Sequence, residues 1–192
     1  RGGQRSGTLA WFLSQIGFRT HVVSGGYKAF RALVREQLDV WPAGMRFVVV
    51  AGRTGSGKTR LLQALAAQGA QVLDLEALAR HRGSVLGGLP GEAQPPQKAF
   101  ETAVWNALRR VDRTRTVFVE SESRKIGARQ VPDALLSTMR ANGRCVVVDM
   151  PDDARVALLL EDYAFFASDP EGFCSHLDVL VELQGREVVT RW

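Results

Sequence analysis

Cysteine is scarce in this chain. Cys145 and Cys174 are the only two among 192 residues, with no Cys-x-x-Cys pair and no metal-ligand spacing. That excludes a disulfide framework and a zinc-ribbon type of site, and it suits a reducing, cytoplasmic setting. No apolar run approaches the roughly 20 residues needed to span a bilayer. A signal peptide is also missing, because the N-terminus is glycine-rich and polar. There is no internal repeat and no low-complexity segment. An initiator methionine is absent too. The chain opens on Arg1, Gly2, Gly3, Gln4, Arg5, Ser6 and Gly7, which reads as the middle of a loop, so a fragment or a processed chain is expected. What is present argues for a folded domain: a hydrophobic content of 45% supports a real core. The length allows one ordinary α/β domain and part of another. A net charge of +5 gives a modest pull toward polyanions such as RNA, and equally describes a solvated surface.

One stretch organises the rest. Gly52-Arg53-Thr54-Gly55-Ser56-Gly57-Lys58-Thr59 fits the P-loop pattern G-x-x-x-x-G-K-[ST] at every defined position. The apolar run 47–51 before it reads as a strand buried on both faces. Residues 59–68 after it are good helix formers, with Leu61, Leu62 and Leu65 on one side and Gly69 as the stop. Strand, glycine-rich turn and helix N-terminus together make an anion cup. Gly52, Thr54, Gly55, Ser56 and Gly57 offer backbone N–H groups, Lys58 adds a full positive charge, and Thr59 is a hydroxyl ligand for Mg²⁺. The default ligand of such a loop is ATP.

Along the chain, residues 1–40 read as the tail of another unit. A basic, glycine-bearing loop (1–7) is followed by a helix over 8–16, a short strand over 18–23, a Gly25-Gly26 turn and a helix over 27–38. These elements are too few to close a core of their own. Residues 39–44 read as a linker, so the units divide as 1–40 and 41–192. The second unit alternates strand and helix: strands at 71–75, 116–120 and 145–149, helices at 76–81, 97–111, 132–142, 152–166 and 170–183, the last capped by Asp169. Residues 82–96 hold too many glycines and prolines for regular structure and read as a lid or binding loop. The expected fold is α/β, a mostly parallel sheet with helices on both faces, like that of P-loop NTPases.

In such sheets ligands gather at the carboxyl ends of the strands, which singles out Asp74, Glu120, Glu122 and Asp149. Any one of them could instead cap a helix or pair on the surface. Glu120 and Glu122 beside Arg124 and Lys125 form a denser cluster, costly at a strand end unless a ligand organises it. His81, Arg82 and Ser84 open the glycine-rich loop beside that edge. His21 reads as structural, His176 as a surface residue, and both cysteines as packing residues. Arg109, Arg110, Arg113 and Arg115 surround a helix end and read first as a solvated surface matched to the helix dipole.

With these residues in view, the sequence resembles the tRNA 2-selenouridine synthase family, in which a rhodanese domain precedes a P-loop domain. The resemblance covers nearly the whole chain. It rests on Arg1-Gly-Gly-Gln-Arg-Ser6, Ser24-Gly-Gly-Tyr-Lys28, the P-loop, Leu73-Asp-Leu-Glu76 with His81-Arg-Gly-Ser84, Gln97-Lys98 with Phe100-Glu101, the run Val117-Phe-Val-Glu-Ser-Glu-Ser-Arg-Lys-Ile-Gly127, and Asp162-Tyr163. The resemblance implies a transferase that converts wobble 2-thiouridine of tRNA into 2-selenouridine. Selenophosphate is the implied selenium donor, and geranylation of the sulfur from geranyl diphosphate is the implied intermediate step. It also makes residues 1–40 the C-terminal part of a rhodanese-like domain. Arg1, Gly2, Gly3, Arg5 and Ser6 would be remnants of the loop whose cysteine, in the family, lies two residues ahead of Arg1. On this reading Lys58, Thr59 and the loop glycines bind the donor's phosphates. Glu120 and Glu122 serve Mg²⁺ or orient the leaving group, and Arg124 and Lys125 neutralise developing charge. Two other classes fit the residues: a P-loop small-molecule kinase that transfers phosphate from ATP, with Asp74 on the acceptor hydroxyl and 82–96 as lid, and a nucleotide-dependent RNA-binding module without chemistry.

Overall fold

The strand pattern decides the architecture. In the computed structural model, which describes residues 3–89, 91–168 and 170–191, the apolar runs pair into one parallel sheet. In chain order the regular elements are α1 (Gln4–Gln15), α2 (Gly26–Val40), β1 (Arg46–Ala51), α3 (Lys58–Ala67), β2 (Gln71–Leu73), α4 (Leu75–Ala79), α5 (Gln97–Arg109), β3 (Thr116–Glu120), β4 (Lys125–Ile126) and β5 (Arg129–Gln130). They continue with α6 (Asp133–Asn142), β6 (Arg144–Val147), α7 (Asp152–Asp162), α8 (Pro170–Leu177), α9 (Val181–Gln184) and α10 (Arg186–Arg191). Strand order is β2-β3-β1-β6, with every pairing in this sheet parallel. The strand carrying Glu120 therefore lies directly beside the strand that feeds the P-loop, with Val50 opposite Glu120.

Side chains alternate across the sheet. Phe47, Val49, Val117, Val119 and Leu73 face a single buried cluster built with α2, α5 and α6, where Val34, Phe100, Val104 and Leu135 are fully buried. Val50 and Leu62 of α3 are also buried but stand outside that cluster, which puts α3 on the other face. The stripe expected along α5 is present as Phe100, Val104 and Leu108. Among the described residues no helix is long and apolar enough to cross a membrane.

The N-terminal part departs from expectation. Residues 4–7 are not loop but the first turn of α1, which starts after Gly3 in the left-handed region (φ 109°). Arg5 and Ser6 are thus helical, and the Ser6 hydroxyl donates to the Gly3 carbonyl at 3.2 Å. Arg1 and Gly2 lie outside the described residues, as do the Asp169 cap and the His176 side chain. Residues 18–23 are irregular rather than a strand, since among the described residues no neighbouring strand pairs with them; the Phe18 N–H donates to the Leu13 carbonyl at 3.0 Å and the Thr20 hydroxyl to the Ala10 carbonyl at 3.2 Å. His21 is exposed there. The linker expected at 39–44 is instead the end of α2 and a 3₁₀ turn (Trp41–Gly44) with Pro42 buried. Arg31 anchors α2 to α5: its guanidinium pairs with Glu101 and donates to the Lys98 carbonyl at 3.1 Å and the Thr102 hydroxyl at 2.7 Å.

Three differences lie nearer the C-terminus. The polar run after Glu120 contains an antiparallel hairpin, β4 with β5, that its composition hides. The β6 strand is an exposed sheet edge rather than a buried strand, with Val147 69% exposed, so Cys145 is a surface thiol. Cys174 is exposed as well. The helix expected over 152–166 stops at Asp162 and passes into a 3₁₀ segment (Ala164–Ser168), and the one expected over 170–183 breaks at Leu177.

Candidate functional site

The carboxyl edge of the sheet holds a cavity of about 580 Å³ whose walls include the P-loop, Asp74, Glu76, Glu120, Glu122 and Tyr163. The loop takes its shape from glycine. Gly55 sits at φ 78°, and a Cβ there would come within 2.7 Å of Leu159 Cγ, so α7 packs on the bare backbone. Gly57 (φ 80°) turns the chain into α3, whose first residue is Lys58. Gly52, Thr54, Gly55, Gly57, Lys58 and Thr59 all line the cavity. Ser56 does not: it is 1% exposed, beneath Gly52, and its hydroxyl has no partner among the described residues.

Lys58 and Thr59 converge on one carboxylate. The Lys58 Nζ donates to the carbonyls of Gly52 (3.0 Å) and Arg53 (3.1 Å) and lies 3.5 Å from Glu120 Oε1. The Thr59 hydroxyl donates to Glu120 Oε2 at 3.2 Å. A phosphate entering the loop would meet this ammonium and the first N–H groups of α3. One carboxylate oxygen from each of Glu76, Glu120 and Glu122 lies within 4.8 Å of the others. Burial and then repulsion from neighbouring carboxylates push Glu76 and Glu122 up to about 8, with Glu120 the strongest repelling charge for both. Glu120 is also raised by burial, against the opposing pull of Lys58 and Thr59.

The remaining residues expected at this edge sort themselves by partner. Asp74 lines the cavity, but its Oδ1 accepts from the Ala77 N–H at 2.8 Å as the N-cap of α4. His81 Nδ1 accepts from the Gly83 N–H at 3.2 Å, and burial lowers its pKa. Arg82 donates to the Asp162 carbonyl at 2.6 Å and lies over the Tyr163 ring. Ser84 and the Tyr163 hydroxyl are 2.9 Å apart. The 82–89 segment is thus fastened to the end of α7. Arg124 and Lys125 are not in the cavity wall: Arg124 reaches Asp133 at 3.4 Å, and Lys125 is exposed on β4. The β4–β5 hairpin carries both outward. Asp149 is exposed and outside the wall.

Glu76, Leu159 and Tyr163 belong to the site and were not singled out by residue chemistry. For Glu76 a signal existed, since it follows a strand-end Asp by two residues and so turns back over the same edge. Leu159 and Tyr163 also open a second, apolar cavity of about 780 Å³, bounded by Leu86, Val156, Phe166 and Phe173. Thr54, Ser84, Leu159 and Tyr163 line both spaces, so the polar cup and the apolar groove adjoin.

A model of the tRNA 2-selenouridine synthase AAA domain matches residues 45–176. The tRNA 2-selenouridine synthase of Alcanivorax borkumensis is 37% identical over 165 residues, covering 85% of this chain and 44% of the relative. That of Cupriavidus necator is 41% identical over 165 residues, with 85% and 43% covered. That of Nitrosomonas europaea is 37% identical over 166 residues, with 85% and 42% covered. The chain therefore spans less than half the length of these relatives. No solved structure matches it. With the P-loop, the Glu120 strand and α7 all inside the matched region, the chain belongs to the tRNA 2-selenouridine synthase family.

Proposed function

We propose that this chain is the donor-handling part of a transferase that converts wobble 2-thiouridine of tRNA into 2-selenouridine with selenophosphate, through S-geranylation from geranyl diphosphate. The observation that carries the reading is the shared wall between the anion cup and the apolar groove. A diphosphate bearing a hydrocarbon tail has one end for each space. Both spaces are within the ~300–1,000 Å³ range of small-molecule sites. The Arg1–Ser6 stretch and residues up to 40 are read as the C-terminal part of a rhodanese-like domain. The exposed apolar side chains Leu9 and Phe12 of α1 and Ile16 just after it support the reading, as a face that another segment would cover. Two exposed, unpaired cysteines fit a cytoplasmic setting.

The chemistry follows from the groups in the wall. The thiocarbonyl sulfur attacks the allylic carbon; a C–S bond forms, the C–O bond breaks, and diphosphate leaves with the electron pair. Lys58 and the loop N–H groups stabilise that charge, and Arg82 takes the part that sequence gave to Arg124 and Lys125. The base loses its ring N–H proton in the same step. Glu76 and Glu122, with pKa values near 8, hold protons near neutral pH and can receive it only in their ionised fraction, which grows as pH rises toward 8. Selenophosphate selenium then adds at the ring carbon, geranylthiol departs, and water removes phosphate from selenium. Thr59 and Glu120 offer the hard oxygen donors that Mg²⁺ requires, with Glu76 and Glu122 close by. When bound, Mg²⁺ supplies positive charge to the diphosphate.

The kinase reading is weakened because Asp74 is engaged as a helix cap and the adjoining groove is mostly apolar. The test uses the full-length protein with 2-thiouridine tRNA and geranyl diphosphate, reading the nucleosides by mass spectrometry. S-geranylated nucleoside is expected with wild type and is lost in Lys58→Ala. Mg-ATP turnover without tRNA, and no geranylated product, would overturn the reading.

A further inference from the structure

The charges at the two edges of the sheet are organised differently. At the carboxyl edge they are paired: Arg53 with Asp152, Arg60 with Glu161 and Asp162, Arg124 with Asp133, Lys58 with Glu120. At the opposite, amino edge they are not. Arg46 and Arg144 open β1 and β6, Arg113 and Arg115 lead into β3, and Arg109, Arg110 and Arg140 end α5 and α6. All seven are exposed, and none makes a salt bridge among the described residues. Asp112 and Asp39 are the acidic residues at this edge. Asp112 is held below the usual carboxylate range by the Thr114 hydroxyl and backbone N–H, with Arg115 and Arg46 adding to the effect. Seven exposed arginines against these two aspartates make this edge basic.

Helix dipoles account for Arg109, Arg110 and Arg140 alone; Arg46, Arg113, Arg115 and Arg144 are not helical. Several of the seven are held in place. Arg113 lies 5.0 Å from the centre of the Trp41 ring and Arg109 5.1 Å from that of Trp105, and the two tryptophans stack at 6.3 Å. Arg115 donates to the Gly69 carbonyl at 2.8 Å. Guanidinium groups ordered in this way lose little entropy on pairing with phosphate, which they match through two parallel N–H bonds. Three neighbouring strands, β3, β1 and β6, at about 4.8 Å spacing spread the row over roughly 10 Å, or about three phosphates at 3.4 Å per nucleotide. Lipid is the poorer partner. Binding in a membrane interface calls for a helix with its apolar face outward, whereas α5 and α6 bury theirs through Phe100, Val104, Leu135 and Met139.

We propose that the amino edge of the sheet, from Arg115 through Arg113 and Arg46 to Arg144, is a docking surface for the phosphate backbone of RNA. It is a second contact for the tRNA whose base enters the cavity at the other edge. The proposal rests on the tRNA-modifying reading given above. The two edges are separated by a strand length, roughly 17 Å, which about five nucleotides of stem can span.

The test uses the full-length protein and the triple variant Arg46→Ala, Arg113→Ala, Arg144→Ala, three positions of that row with no side-chain hydrogen bond or ion pair among the described residues. Affinity for 2-thiouridine tRNA is measured from 50 to 200 mM salt, beside affinity for inorganic pyrophosphate. The expected result is tRNA binding weakened by about tenfold or more, a slope of log affinity on log salt reduced by about 2, and pyrophosphate binding unchanged. Equal tRNA affinity and slope in the variant, with wild type binding well, would overturn the docking surface alone. Wild type that binds pyrophosphate but no tRNA would overturn the tRNA-modifying reading, and this proposal with it. Loss of binding to phosphatidylserine vesicles with tRNA affinity intact would assign the edge to lipid and overturn it too.

Discussion

Replacing both Glu76 and Glu122 by glutamine is expected to remove a pH dependence of stability that the wild-type site imposes. Both carboxyls rise from an ordinary value of 4.5 to about 8 on folding, mainly because burial strips them of water and then because the Glu120 charge repels theirs. The sign follows directly. Between pH 4.5 and 8 the folded state holds protons that the unfolded state has released, so stability falls as pH rises through that window. At 1.36 kcal/mol per pKa unit, each group alone would contribute about 5 kcal/mol. That is a ceiling, since the three carboxylates titrate together and the cavity mouth is partly hydrated. About 2–4 kcal/mol for the pair is the working figure, or roughly 5–15 °C in Tm for a chain of this size. The assay is thermal unfolding in chelator at half-unit steps from pH 5.5 to 9. Glutamine copies the neutral carboxyl, so the double variant is expected to lie within about 1 kcal/mol of wild type at pH 5.5, early in the window, and to melt progressively higher than wild type up to pH 9. Curves that stay parallel across the range would refute the assignment of shared, proton-holding carboxyls.

Two more expectations concern the scaffold. Arg31→Ala removes the buried link between α2 and α5 and leaves Glu101 without its partner; a loss of about 3 kcal/mol is expected by denaturant titration, mostly restored when Glu101 is also made apolar. Cys145 and Cys174 are expected to react with a thiol reagent in the native state as fast as in the unfolded chain, where burial would have protected them.

Much of the site was legible in the sequence because its elements obey local rules. The P-loop, its strand and its helix follow from glycine positions, an apolar run and helix propensity, and each formed where its pattern lies. Glu120 was legible as the polar end of an apolar strand. What local pattern could not give was partnership. Arg124 and Lys125 look like active-site charges one dimension at a time, but a two-residue hairpin turns them away. The apolar run that contains Cys145 reads as buried, yet its strand takes the sheet edge because β1 already has β3 on its other side. The 18–23 segment is strand-like in composition and lacks a strand to pair with. The apolar groove is written across the 82–89 segment, α7 and α8, and no single stretch of sequence reveals it.

The central claim is that one ligand occupies both the polar cup and the apolar groove. Calorimetric binding of geranyl diphosphate and of inorganic pyrophosphate, to wild type and to Leu86→Asp, tests it most directly. Burial of a ten-carbon tail at about 0.8 kcal/mol per methylene, reduced by the cost of ordering it, leaves geranyl diphosphate about a hundredfold tighter than pyrophosphate. Leu86→Asp is expected to erase that advantage while pyrophosphate binds as before. Equal affinities for the two ligands in wild type, or an advantage that survives Leu86→Asp unchanged, would contradict it.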